Sequence, residues 1–227
     1  MVEPLTPVLP PPRAVVCDLD GTLVDTVPTR IAAWMATFAE VGLPVEREHV
    51  ASLIGSDGKW LADRVAEHAG RRLTPDEAER IDRLAGERYG ELNTSPRPVP
   101  GALDFLAALD RALVPWAVAT SSRPAQVAVS VSALDLERTP IVIDGLAVDR
   151  AKPEPDLLEA AAARLDVPVA DCWCVGDARW DMLAAVAAGM RPVGVTTGSA
   201  TADDLRAAGA VAVVKRLDEL IGQLSSA

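Results

Sequence analysis

Two acidic pairs carry the most chemistry in this sequence: Asp18 and Asp20 in VVCDLDGTLVDT, and Asp177 and Asp181 in CVGDARWDM. Two residues apart, Asp18 can face a reactant while Asp20 lies beside it. Four apart at a helix start, Asp177 and Asp181 fall on one side of the first turn. Singly, each pair has an ordinary structural use, as turn acids or as a cap with a dipole-compensating acid. Taken together they mean more. Acids from separate strand ends that face one crevice repel unless a cation lies between them, and oxygen-only ligands suit Mg²⁺. The two histidines, His49 and His68, stand far from these positions and read as surface helix residues.

Two further segments add positive and neutral donors. Thr120, Ser121 and Ser122 close an apolar run just before a helix that starts near Pro124. Hydroxyls and backbone N–H groups at a helix start form a ready anion site, and they equally make an ordinary N-cap. In AKPEPD, Pro153 restricts Lys152 to extended backbone and so fixes the direction of its ammonium. All four groups follow short apolar runs. That is where a parallel sheet binds its ligands, beyond the carboxyl ends of the strands.

The elements that must position them follow a repeating pattern. Candidate strands start at Ala14 (AVVCDL), Pro115 (PWAVAT), Pro140 (PIVID), Asp171 (DCWCVG) and Met190 (MRPVGVT), with a weaker sixth at Ala210 (AVAVV). Each is short, apolar on both faces and bounded by Gly, Pro, Asp or Ser. Amphipathic stretches at 101–111, 123–134, 155–165 and 179–188 lie between them. Alternation of this kind predicts an α/β doubly wound parallel sheet. Residues 28–95 break it with helical patterns alone: 28–42, where Thr26 or Asp25 can cap, then 45–55, 58–70 and 74–92, where Thr74 caps and Pro75 opens the helix. Nearly seventy residues are too many for a crossover, which predicts a small helical domain at 28–95. The core is then 13–27 with 96–227, and residues 1–12 form a proline-rich tail.

Composition limits the partners. Among 227 residues, 49% are hydrophobic and the net charge is −11. A surface this acidic repels phosphate backbones, so nucleic acid is not an expected partner. Three cysteines, Cys17, Cys172 and Cys174, lie in or beside strand-like runs and read as buried reduced thiols. The N-terminus lacks a basic start with an unbroken apolar run, and no stretch is long enough to span a membrane. A cytoplasmic enzyme acting on a small molecule is the expectation.

The ordered set DLDGTLVDT, AVATSS, AKPEPD and VGDARWD resembles the four motifs of the haloacid dehalogenase superfamily, most closely its phosphoglycolate phosphatase and β-phosphoglucomutase branch. The likeness spans nearly the whole chain after the tail, including the helical insert, which is similar to that branch's cap. It implies that Asp18 attacks phosphorus to give an aspartyl-phosphate. Asp20 would protonate the leaving oxygen and later deprotonate the hydrolytic water. Thr120 and Lys152, with the backbone N–H of Ser121, would hold the phosphoryl oxygens. Asp18, the backbone carbonyl of Asp20 and Asp177 would ligate Mg²⁺, with Asp181 in its inner or outer sphere.

Three departures from the pattern bear on function. Ala178 stands where the fourth motif often has serine, which removes no implied ligand. Trp180, between two acids, either packs on a neighbouring helix or narrows the site rim. Arg30 occupies the place where resembling sugar phosphomutases have a histidine. Its permanent charge rules out that proton transfer but suits clamping a substrate carboxylate or phosphate. The cap would supply specificity, with Arg30, Ser56, Asp57 and Lys59 as candidates and Arg30 and Lys59 as substrate contacts. The expected activity is a Mg²⁺-dependent phosphatase of a small phosphorylated metabolite. A phosphomutase is the alternative, and a silent binding relative a weaker one. Dehalogenation is disfavoured, because resembling dehalogenases lack the acid that Asp20 supplies.

Overall fold

A computed structural model describes residues 9–224. Residues 1–8 of the expected tail lie outside the described residues. Six strands follow chain order: β1 (Ala14–Cys17), β2 (Trp116–Ala119), β3 (Ile141–Ile143), β4 (Cys172–Gly176), β5 (Arg191–Val195) and β6 (Ala212–Val214). They form one sheet in the order β3-β2-β1-β4-β5-β6, with every pairing parallel. The order reverses between β1 and β4, so the crevice beyond their carboxyl ends is the place for a ligand.

Four helices fill the insert after β1: α1 (Val27–Glu40), α2 (Arg47–Leu53), α3 (Gly58–His68) and α4 (Pro75–Leu92). The rest alternate with strands: α5 (Ala102–Arg111), α6 (Pro124–Ser132), α7 (Asp156–Leu165), α8 (Arg179–Ala188) and α9 (Ala202–Ala207). Short 3₁₀ turns cover Val169–Asp171 and Leu217–Gln223. No described helix is long and apolar enough to cross a membrane.

Strand periodicity divides the core into two unlike faces. Val15, Cys17, Trp116, Val118, Trp173 and Val175 point into one apolar cluster, where Phe105, Leu106 and Leu109 of α5 cover them. Their neighbours Ala14, Val16, Ala117, Ala119, Cys172 and Cys174 point to the other face. That face is built of small side chains and meets Ala161 and Ala162 of α7 and Ala184 and Ala185 of α8. Small residues on both sides bring these helices close to the sheet, which fixes α8 and the acids at its start. The three cysteines are buried and unbridged, as expected.

Helices α1–α4 surround a third apolar cluster that includes Trp34, Phe38, Val65 and Ile81. Ala178 and Trp180, at the start of α8, belong to it as well. Trp180 therefore packs on a neighbouring helix: its ring meets Trp60 of α3 edge-on, 4.9 Å between centroids. At α4 the Thr74–Glu77 capping box forms as the sequence suggests. At the other end, the segment read as tail partly joins the core. Leu9 is buried, and the Pro10 carbonyl accepts the indole N–H of Trp173 at 3.1 Å.

Candidate functional site

Asp18 follows β1 directly, and its backbone N–H donates to the Val175 carbonyl of β4 at 2.9 Å. This carries the sheet one residue further and sets the carboxylate at the switch point. The Lys152 ammonium lies beside it, wholly buried, and meets three oxygens, two as a hydrogen-bond donor and one as an ion pair. It reaches Asp18 Oδ1 at 2.6 Å, Asp181 Oδ1 at 2.7 Å and the Ala119 carbonyl at the end of β2 at 2.7 Å. Asp181 also accepts from the Ala178 backbone N–H at 2.9 Å through Oδ2. Asp177 accepts from the Thr22 hydroxyl at 2.7 Å. Asp177 caps nothing: the N-cap position of α8 is Ala178.

Asp18, Asp177 and Asp181 are all buried, and one carboxylate oxygen from each lies within 4.8 Å of the others. This is the one group of three or more metal-ligating side chains among the described residues. Burial, opposed in part by Lys152 and reinforced by Asp181 and Asp20, pushes the Asp18 carboxyl up to about 7. Burial and the neighbouring acids raise Asp177 well above the carboxylate range. Burial opposes the charge on Lys152, but Asp18 and Asp181 outweigh it and keep the ammonium protonated. An all-oxygen set whose members repel one another in a dry site fits a hard divalent cation such as Mg²⁺. Gly21, at φ +98°, turns the chain beneath this cluster; a Cβ there would press on the Asp177 carboxylate.

Asp20 sits in a different environment. Its Oδ1 accepts from the Thr26 hydroxyl at 2.7 Å and the Tyr89 hydroxyl at 3.1 Å. Its Oδ2 accepts from Arg30 Nη2 at 2.8 Å, Ser122 Oγ at 2.7 Å and Thr120 Oγ1 at 3.5 Å. Burial disfavours the charge, but the Arg30 guanidinium and these donors hold the carboxyl below its usual range. Two hydroxyls that could cap helices turn to this carboxylate instead. Thr26 is the N-cap residue of α1 but makes no side-chain cap bond, because its hydroxyl is spent on Asp20. Ser122 does not cap α6 either; Arg123 is the N-cap residue, and Ser122 also turns to Asp20.

The cleft above these groups is lined by Asp18, Asp20, Arg30, Ser121 and Arg123, with Trp34 and Leu61 as an apolar wall. Ser121 donates its hydroxyl to the Gly55 carbonyl at 3.3 Å, which ties the end of β2 to the α2–α3 loop. Arg30 enters the cleft from α1 and Ser56 from the α2–α3 loop. Lys59 does not. Asp57 caps α3 by accepting from the Trp60 N–H at 2.9 Å, which turns Gly58 toward the cleft and leaves Lys59 exposed along an outer groove with Asp149 and Arg150. Lys59, read from the sequence as a substrate contact, thus lies outside the lining of this cleft. His49 and His68 stack on each other, 4.4 Å between ring centroids, and are absent from the cleft.

Several residues here had gone unremarked in the sequence. Thr22 holds Asp177, and Gln126 accepts from Arg30 at 3.2 Å. Arg123 crosses the cleft to Asp82 and Glu79 of α4, at 2.5 and 2.7 Å. Tyr89 lies under the Arg30 guanidinium, 3.9 Å from ring centroid to carbon. One signal was available for Tyr89. It is the sole tyrosine of the chain and continues the buried stripe Ala78, Ile81, Ala85 on α4, where a phenol needs a hydrogen-bond partner.

Comparison with known proteins agrees with this geometry. A hydrolase from Pseudomonas syringae superposes with a TM-score of 0.89 at 31% identity, over 93% of this chain and 97% of that one. The phosphoglycolate phosphatase of Neisseria meningitidis serogroup A is 34% identical over 190 residues, 82% of this chain and 81% of that protein. The probable phosphatase IndB of Dickeya dadantii is 32% identical over 216 residues, 92% and 91% of the two chains. Residues 12–189, from the approach to β1 through α8, match the haloacid dehalogenase-like hydrolases as a family. With its acids, hydroxyls and lysine gathered at successive strand ends, the chain belongs to the haloacid dehalogenase-like hydrolase family.

Proposed function

We propose that this enzyme is a Mg²⁺-dependent phosphatase that hydrolyses a small phosphate monoester through an aspartyl-phosphate on Asp18. The observation that carries this reading is the Asp18 carboxylate at the switch point, 2.6 Å from a buried lysine and within a cluster of three acids. A carboxylate attacking an anionic phosphoryl group must overcome charge repulsion before any bond forms. Mg²⁺, held by Asp18, the Asp20 backbone carbonyl and Asp177, would supply the neutralising charge. Asp181 pairs with the Lys152 ammonium through Oδ1 and accepts from the Ala178 N–H through Oδ2, so it would help to hold the ammonium and stand in the inner or outer sphere of the ion.

Asp18 Oδ forms the new bond to phosphorus as the ester P–O bond breaks, and the leaving alkoxide takes a proton from Asp20. A water then gives a proton back to Asp20 and attacks the aspartyl-phosphate, which releases phosphate and restores the Asp18 carboxylate. Lys152, Thr120 and the Ser121 backbone N–H hold the transferring oxygens. Residues 28–95 act as a cap over the core formed by 13–27 and 96–227, with Arg30 as its substrate contact. Arg30 pairs with Asp20 and holds a permanent charge where a phosphomutase needs a proton carrier, which favours hydrolysis over return of the phosphoryl group.

The test is phosphate release from p-nitrophenyl phosphate and a panel of phosphorylated metabolites. Activity should require Mg²⁺, stop with EDTA, and fall at least about 10³-fold in Asp18→Asn, as expected when a covalent nucleophile is removed. An Asp18→Asn protein that keeps most of its turnover refutes the assignment.

A further inference from the structure

The loop after β5 reaches the same rim as the acids, because β5 lies beside β4 and runs parallel to it. Three consecutive residues of that loop touch three different parts of the molecule. The Thr197 hydroxyl, half-buried, donates to the Gly21 carbonyl at 2.5 Å. Gly198 backs the Asp177 carboxylate so closely that a Cβ there would overlap Oδ2. The Ser199 hydroxyl, exposed, turns to the other side and donates to the Ala51 carbonyl of α2 at 2.8 Å.

The first of these contacts falls on the most pliable joint of the site. Gly21 stands in the left-handed region at φ +98°, and a glycine reorients its flanking peptides more easily than any other residue. Its N–H is held by the Val24 carbonyl at 2.8 Å, and its carbonyl by Thr197. The peptide that starts with this carbonyl leads into Thr22, whose hydroxyl donates to Asp177 Oδ1 at 2.7 Å. A tilt of that one peptide would move the turn after Asp20 and the donor to Asp177 together. Thr197 is suited to prevent it, since a β-branched side chain has few rotamers and its hydroxyl keeps one direction.

We infer that Thr197 is a positioning residue of the metal site, acting through the Gly21 carbonyl and Thr22 to hold Asp177 where a cation needs it. The inference rests on the Mg²⁺ reading above and extends that site to the loop after β5. Asp177 is then set from two sides: Thr22, steadied by Thr197, fixes Oδ1, and the bare backbone of Gly198 leaves room for Oδ2. Thr197 donates to a backbone carbonyl and to none of the acids, so its loss acts on metal affinity and not on the chemical step.

The measurement is Mg²⁺ binding to the whole chain by isothermal titration calorimetry without substrate, beside Tm in EDTA. Thr197→Val keeps the shape and loses the donor, and its dissociation constant for Mg²⁺ should rise about tenfold, as when a residue that orients a metal ligand is removed. Thr197→Ser restores the hydroxyl and should restore most of the affinity. At saturating Mg²⁺ the valine variant should release phosphate from p-nitrophenyl phosphate at close to the wild-type rate. Ser199→Ala controls for a general loosening of the loop: it removes a hydrogen bond that leads to α2 instead of Asp177, and Mg²⁺ should bind as in the wild type. One readout needs no variant, because Mg²⁺ should slow backbone amide exchange in the wild type over 196–199 as well as over 18–24. The inference is overturned if Thr197→Val lowers Tm in EDTA but binds Mg²⁺ normally, if serine gives no rescue, if Ser199→Ala weakens the metal as much, or if exchange over 196–199 ignores Mg²⁺. A wild type that binds no Mg²⁺ refutes the metal reading itself instead.

Discussion

Replacing Lys152 by methionine should separate the charge balance of the acid cluster from its packing. Methionine keeps most of the stem volume, so the apolar loss is small. The loss of charge is not. The ammonium makes three contacts of 2.6 to 2.7 Å, two of them to carboxylates that stay buried without it. Removing one partner of a buried pair costs about 3–5 kcal/mol. For a chain of this size that lowers Tm by roughly 6–20 °C. The sign with pH follows from Asp18, whose carboxyl is raised to about 7 in the folded protein. A raised carboxyl stabilises the fold below its unfolded value, and that contribution is lost as pH rises through about 7. Without Lys152 the Asp18 carboxyl rises further, so the variant should melt near the wild type at pH 5 and far below it at pH 8. Mg²⁺ should recover part of the difference at pH 8, because it binds the ionised acids of the folded state. Turnover should fall about 10²- to 10³-fold, as when a donor to the transition-state oxygens is removed. The measurement is differential scanning fluorimetry from pH 5 to 8, with EDTA or Mg²⁺. A destabilisation that is equal at both pH values, or absent at pH 8 in EDTA, refutes the reasoning.

Two other substitutions probe what the cluster leans on. In Gly198→Ala the added Cβ would press into Asp177 Oδ2 and lie 2.6 Å from its Cγ. The Mg²⁺ concentration for half-maximal activity should rise about tenfold or more, with Tm little changed; an unaltered metal requirement would show that Asp177 is not a ligand. Trp180→Ala empties a buried site against Trp60 and should cost about 3–5 kcal/mol in urea denaturation, while a cost under about 1 kcal/mol would remove Trp180 as an anchor of α3.

The sheet was legible because its strands are short, apolar on both faces and closed by turn residues, and even the weak candidate at 210 forms β6 at the sheet edge. The acids at strand ends were legible for the same reason: a parallel sheet sends every such residue to one rim. The first strand ends at Cys17 rather than running through Leu19, because the chain turns at Asp18–Gly21 to bring Asp20 under α1. Helix capping by a hydroxyl such as that of Thr26 follows from local rules that hold where nothing competes for it. Here a buried carboxylate competes and wins, since a charged acceptor without water gains more from a donor than a helix end does. No local rule could supply that information, because the donors to Asp20 lie 6, 10, 69, 100 and 102 residues away in sequence.

The same contrast separates the reaction from its selectivity. Asp18 and Asp177 directly follow β1 and β4, whereas Lys152 lies well past β3, its ammonium on the Ala119 carbonyl of β2 and its own carbonyl accepting from the Asp57 N–H of the α2–α3 loop at 2.8 Å. Asp20 differs because its partners come from both sides: Thr120 and Ser122 from the end of β2, Arg30 and Tyr89 from α1 and α4. Its position therefore reports how those helices sit over the sheet. Arg123 works in the opposite direction, reaching from the start of α6 to Asp82 and Glu79. These pairs differ in screening. The Arg123 side chain is 25% exposed and Glu79 46%, so water and salt weaken that link, whereas Arg30 and Asp20 are 12% and 7% exposed and keep their attraction. Of the two arginines, Arg30 therefore holds the more costly contact to break.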